Sequence, residues 1–267
     1  MAREKGLEAI AIADHNSVAN VEEGLRLSGE FGIEFIPCLE INTFHNDLDL
    51  HLLAYYIQPQ DPALIQWLEA IRRKKEEQAE RRVVKLNELG FIFDWKDLRA
   101  FSADHIPTGV SFLKAILSRK ENGTDPRLRP YIDGHRSRSP YVNFYRDYLR
   151  GGKPAFVHME DILTIAAIRQ IKELGGIPVL AHPSDTGEEN ILALIRSGLE
   201  GLEVYSPYHD AREQEAFRIF AEKHNLLITA GSDFHGKTIK PDVELGEVPG
   251  NDYDLVNKLK KRREEIR

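Results

Sequence analysis

Short apolar runs that break off into a carboxylate or a histidine, each followed by an amphipathic stretch, recur at both ends of this chain. Glu8 to Ala13 (EAIAIA) alternates as a short buried strand and stops at Asp14-His15-Asn16-Ser17. Asn16 or Ser17 can cap a helix running past Val21 and Leu25. Glu34 to Leu39 (EFIPCL) reads as a second strand ending at Glu40, and Asp47 to Ile57 (DLDLHLLAYYI) as a third with His51 inside it. After Phe156 the alternation resumes. A helix over Glu160 to Leu174 stops at Gly175-Gly176, and the strand Ile177 to Leu180 runs into Ala181-His182-Pro183. Then come a helix over Glu188 to Ser197, a strand over Leu202 to Tyr205, a helix over Ala211 to His224 and a strand over Leu226 to Thr229. The last strand leads into Gly231-Ser232-Asp233-Phe234-His235. Such alternation predicts parallel strands with crossover helices, and the 267 residues suit one α/β barrel.

The middle of the chain follows another pattern. Asp61-Pro62 is an N-cap followed by proline at the first helical position. Leu64, Leu68, Ile71, Ala79, Val83 and Leu86 then recur at helical spacing, and Gly90 closes the helix. The polar, Arg- and Tyr-rich stretch beyond it makes 61–154 an inserted helical subdomain. Residues 1–60 and 155–267 are expected to form the barrel.

Charge narrows the partners. Thirty-six basic against 43 acidic residues leave a net charge of −7, which argues against a protein that grips nucleic-acid backbone through a basic face. No apolar run is long enough to predict a membrane span. A single cysteine, Cys38, excludes an internal disulfide and points to the cytoplasm. No GxSxG elbow, P-loop or GxGxxG is present, so serine-hydrolase, NTPase and dinucleotide readings lose their main support.

In a parallel barrel the active site lies at the C-terminal ends of the strands. There the sequence puts Asp14 and His15, Glu40, His51, His182, Glu203 with Tyr205, and Asp233 with His235. Taken singly each has an ordinary structural reading: His51 as a hydrogen-bonded core histidine, His182 as a strand end before proline, Glu40 as a loop carboxylate. On one rim together they form an imidazole-carboxylate set suited to Zn, Mn or Fe. Arg136 in GHRSRSP has the shape to grip a phosphate, though an exposed basic loop is the better account of it.

These segments resemble the PHP (polymerase and histidinol phosphatase) family. The resemblance is carried by GLEAIAIADHNSV, IPCLEINT, DLHLLAYYI, GGIPVLAHPSD, GLEVYSPYH and TAGSDFHG, in that order. It implies a distorted (β/α)7 TIM-like barrel with two or three divalent metals. It also implies His15, Glu40, His51, His182, Asp233 and His235 as ligands, Glu40 as a bridge between two of them, and Asp14 as a support for His15. His158 and His209 fall where such enzymes hold the phosphate. The family pattern opens with a His-x-His strand that this sequence lacks. AREKGL reads as the tail of a helix closing at Gly6, so the first barrel strand is expected to be missing.

The function implied is hydrolysis of a small phosphomonoester by a metal-activated hydroxide. The expected substrate is a nucleotide, such as a nucleoside 3′,5′-bisphosphate or monophosphate. His182, His209 or Asp233 would assist proton transfer. Two other readings follow: a degenerate member that binds metal and ligand without turnover, and a nuclease or proofreader of the same family, which the net charge disfavours.

Overall fold

In a computed structural model, residues 1–103, 105–158 and 162–266 are described. In chain order the elements are β1 (Ala9–Ile10), α1 (Val21–Phe31), β2 (Glu34–Phe35), β3 (Cys38–His45), β4 (Leu48–Tyr55) and α2 (Pro62–Glu88). Next come α3 (Trp95–Ser102), α4 (Gly109–Ser118), α5 (Arg129–Ile132), α6 (Pro140–Phe144), α7 (Thr164–Glu173) and β5 (Ile177–Leu180). The chain ends with α8 (Glu188–Arg196), β6 (Gly201–Tyr205), α9 (Ala211–Lys223), β7 (Leu227–Ala230) and α10 (Tyr253–Glu265). The fold is α/β.

The chain divides into two compact units. One comprises Met1–Glu69, Ile162–Phe234 and Val243–Arg267; the other comprises Ala70–Asp161 and His235–Asp242. In the first unit β1 pairs with β2 in parallel, and β3-β4-β5-β6-β7 form a five-stranded sheet. Among the described residues no pairing closes these strands into a barrel. An isolated parallel bridge, His15↔Glu40, runs the loop after β1 alongside β3.

The five-stranded sheet is mixed, not parallel. β4 is antiparallel to both β3 and β5, whereas β5, β6 and β7 are parallel. The cause is local. Asn46 and Asp47 both take positive φ (45° and 63°), the two-residue hairpin turn whose twist matches that of its strands. Asn-Asp between two apolar runs was the available signal. The run from Glu34 also breaks at Pro37, so Glu40 sits inside β3 instead of ending a strand. Asn20, not Asn16 or Ser17, precedes α1. Of the helix expected over Glu160 to Leu174, Thr164–Glu173 forms α7, and Glu160 lies outside the described residues.

Side chains alternate across a strand, so register decides which residues share a face. The pairs Cys38↔Tyr55, Glu40↔Leu53 and Asn42↔His51 put Glu40, Asn42 and His51 on one face. Leu53↔Val179, Val179↔Gly201 and Glu203↔Thr229 extend that face across the sheet. Its floor is apolar: Cys38, Leu53, Tyr55, Ile177, Val179 and Leu227 pack into one buried cluster with Leu259 of α10. The polar residues occupy one end of it. In the second unit, Leu86, Phe91, Leu98, Phe112, Ile116, Phe144 and Leu149 form a separate buried cluster.

Candidate metal centre

Glu40 is the hub. It is buried, and both of its oxygens face imidazoles: Oε2 stands 3.7 Å from His15 Nδ1, and Oε1 stands 2.6 Å from His51 Nδ1 and 3.6 Å from His182 Nε2. The rings crowd edge to face, with centroids 5.0 Å apart for His15 and His51 and 5.1 Å for His51 and His182. His51 Nδ1 is buried and, despite its nearness to Glu40, has no hydrogen-bond partner of proper geometry. A donor atom aimed beside a carboxylate without bonding to it fits a point that both would share. His15, Glu40 and His51 each offer a ligand atom, and these atoms all lie within 4.8 Å of one another.

Charge follows from the crowding. Burial pushes the Glu40 carboxyl up, but the imidazoles of His15, His51 and His182 outweigh it and hold the group well below the usual range. Burial pulls His51 down despite Glu40 beside it. For His182 burial also lowers the pKa, yet the nearby Glu40 carboxylate and the charges of Glu203 and Asp233 raise it to about 9. Glu203, buried, is pushed up to about 8 by desolvation, against the pull of His182.

Two asparagines support His51. Asn42 Nδ2 meets His51 Nε2 at 2.8 Å. Asn16 Nδ2 donates to Asn42 Oδ1 at 2.6 Å, and the Asn42 backbone N–H donates to Asn16 Oδ1 at 3.1 Å. Asn16 is itself held by its N–H on the Glu40 carbonyl, 2.7 Å, in a left-handed backbone that Asn tolerates. Sequence reasoning missed both as support. A signal existed in their place beside His15 and two residues past Glu40, which puts Asn42 on Glu40's face.

The remaining expected residues are placed as follows. Asp14 takes a hydrogen bond from Asn20 at 2.7 Å, and its carbonyl accepts the Glu40 N–H. Asp233 accepts from the Tyr208 hydroxyl, and the Tyr208 ring stands edge-on to His182 with centroids 5.9 Å apart. Tyr208 was not anticipated, although it lies in the SPYH segment. His209 is buried; its Nδ1 bonds the Val204 carbonyl at 2.7 Å, while Nε2 has no hydrogen-bond partner. His235, His158 and Arg136 belong to the second unit. There His158 rests against Phe156, and the Arg136 guanidinium is held by Asp147 at 3.2 Å.

No protein-family model matches the chain. Curated relatives do. It is 26% identical over 234 residues to a 3′,5′-nucleoside bisphosphate phosphatase of Chromobacterium violaceum, covering 85% of this chain and 76% of that one. It is 24% identical to a phosphoribosyl 1,2-cyclic phosphate 1,2-diphosphodiesterase of Eggerthella lenta, covering 88% and 86%. It is also 24% identical to a 5′-3′ exoribonuclease of Haemophilus influenzae, covering 86% and 80%. Among solved structures, one assigned as a metal-dependent phosphoesterase of Bifidobacterium adolescentis superposes with a TM-score of 0.76 at 25% identity, covering 98% and 88%. An amidohydrolase structure from Chromobacterium violaceum superposes at 0.77 with 23% identity over the same shares, a likeness of fold.

Proposed function

We propose that this chain is a metal-dependent phosphoesterase of the PHP family that hydrolyses a small phosphomonoester of the nucleotide class. One observation carries the reading. The imidazoles of His15, His51 and His182, from three separate segments, converge on the buried Glu40 carboxylate in a chain whose relatives cleave phosphate esters. The donor set is nitrogen and oxygen without thiolate, which suits Mn²⁺, Zn²⁺ or Fe²⁺.

His15, Glu40, His51 and His182 would hold the cation, with Asp233 beside them; His235 is a candidate ligand only through the family resemblance of TAGSDFHG. Two or three cations are proposed, since Glu40 turns each oxygen toward a different imidazole, which supports its reading as a bridge. A bound divalent ion withdraws charge from phosphoryl oxygens and acidifies water. The chain's own residues supply the rest. Glu40 offsets the cation's charge in a buried setting, where the interaction is least screened. Tyr208 holds the Asp233 carboxylate in place next to His182. His209 presents an unpartnered ring nitrogen, which supports a role as phosphate contact. Arg136, engaged by Asp147, is the weaker candidate for that role, and His158 keeps the role only from its motif position.

The strand sequence from β1 to β7, with the His15↔Glu40 bridge joining its two sheets, supports an incomplete, distorted (β/α)7 barrel. Among the described residues no helix is long and apolar enough to cross a membrane. The single cysteine supports a cytoplasmic enzyme.

A second reading has specific support, because three of the curated relatives are named 5′-3′ exoribonucleases. The deciding assay is phosphate release with Mn²⁺ from a nucleoside 3′,5′-bisphosphate and a nucleoside monophosphate, run beside a 5′-phosphorylated RNA oligonucleotide. Turnover of the small esters, abolished by chelator and by His51→Ala, is the expected result. Shortening of the oligonucleotide in preference to the small esters would replace it with the nuclease reading. No metal-dependent turnover of either would reject catalysis.

A further inference from the structure

β6 carries an acid that the ligand set does not use. Glu203 is 5% exposed and faces the same side of the sheet as Glu40 and His51, level with Thr229 of β7. Its Oε2 accepts the backbone N–H of His182 at 3.1 Å. Its Oε1 fills the space beside Gly231: a methyl group built there would stand 2.1 Å from that oxygen. Gly231 thus acts as a socket, and any side chain at this position displaces the carboxylate.

His182 needs such a tether. Its backbone sits at φ +29°, ψ +65°, a region non-glycine residues seldom occupy, and Pro183 follows it and narrows the choice further. A strained residue persists only where its surroundings over-determine it. The strain has a use here, since this turn brings His182 Nε2 to 3.6 Å from Glu40. Burying a carboxylate costs free energy unless it is hydrogen-bonded, and the bond Glu203 makes is to the backbone of His182, not to its ring.

We propose that Glu203, seated against Gly231, is a positioning residue that locks the strained His182 backbone and so aims its imidazole at Glu40. The proposal rests on the metal-site reading above, and it assigns Glu203 a task other than ligation.

The test is Mn²⁺ titration of the full chain by calorimetry, with thermal unfolding recorded for each variant. Glu203→Gln keeps an acceptor oxygen and should bind within about threefold of the unmodified protein, whereas Glu203→Ala should bind about 10- to 100-fold more weakly. Gly231→Ala should match Glu203→Ala, although it leaves the acid in the sequence. If Glu203→Gln is as poor as Glu203→Ala, the acid is a ligand and the proposal fails. It also fails if folded Glu203→Ala binds normally. Amide exchange in the unmodified, metal-free protein decides the matter where a variant does not fold. The His182 N–H should exchange at least about a hundredfold more slowly than an open loop amide, and exchange at the loop rate overturns the tether. An unmodified chain that takes up no Mn²⁺ defeats the metal-site reading, and the exchange measurement then judges the tether by itself.

Discussion

His51 and Glu40 face one another across the β3–β4 hairpin, Nδ1 to Oε1 at 2.6 Å, without the alignment of a hydrogen bond. Two strands had to pair antiparallel, in the register Glu40↔Leu53 and Asn42↔His51, for that approach to occur. The chemistry proposed for this chain begins there.

Removing Glu40 should therefore do more than remove one ligand. Glu40→Gln keeps the shape but deletes the charge that three imidazoles surround. We expect Mn²⁺ affinity to fall more than about 100-fold, beyond the loss typical of outer supporting groups, with phosphatase turnover lost in parallel. Calorimetry and phosphate release read the two effects. Unchanged affinity would take Glu40 out of the site.

Asn42 offers a quieter test. Its amide lies between Asn16 and the His51 ring, and Asn42→Ala deletes both contacts without touching a proposed ligand. Metal affinity should drop about 10- to 100-fold while the far-ultraviolet circular dichroism stays that of the parent. An affinity equal to the parent's would mean the ring is held adequately by packing.

Acid sensitivity should be traceable to Glu200. Lys172 of α7 bonds its Oε1 at 2.6 Å, and Arg262 of α10 pairs with its Oε2. Burial pushes this carboxyl up, but the two cations outweigh it and hold the pKa below the ordinary 4.5. A depressed folded-state pKa stabilises the fold fully above the unfolded value, and the stabilisation disappears as pH falls through the folded one. Glu200→Gln should then cost about 1 kcal/mol at neutral pH, solvent screening included, and nothing once the pH is below both values. Urea unfolding at pH 7 and at acid pH measures the difference. An equal cost at both would show that the ion pairs are not its source.

The second unit gives a packing prediction. Phe144 is wholly buried, with the rings of Phe91, Tyr131 and Tyr148 within 6.3 Å, centroid to centroid. Phe144→Ala should cost about 3–5 kcal/mol, read from the urea midpoint. A loss under about 1 kcal/mol would mean the cavity collapses freely.

Much of this molecule was legible before any coordinates. The elements from β5 to β7 fall within a residue of their expected bounds, because these strands alternate with amphipathic helices whose patterns are local; α7 begins at Thr164, four residues after the expected start. That His15, Glu40, His51 and His182 would meet was expected too, from their positions at or near the ends of apolar runs. The β4 direction was misread because two apolar runs say nothing of their relative orientation; the Asn46-Asp47 turn decides that. Tyr208, Asn16 and Asn42 escaped notice because hydroxyls and amides acquire a role only from what they touch.

The amino-acid order by itself determined where strands and helices form and which side chains alternate to the inner face, since both follow from neighbours a few positions away. Tertiary structure alone decided that Glu40 would meet three imidazoles, that Asn42 would hold one of them, and that the missing side chain of Gly231 would admit Glu203. Those relations depend on strand direction and register, and a shift of one residue would have turned each of these groups to the opposite face.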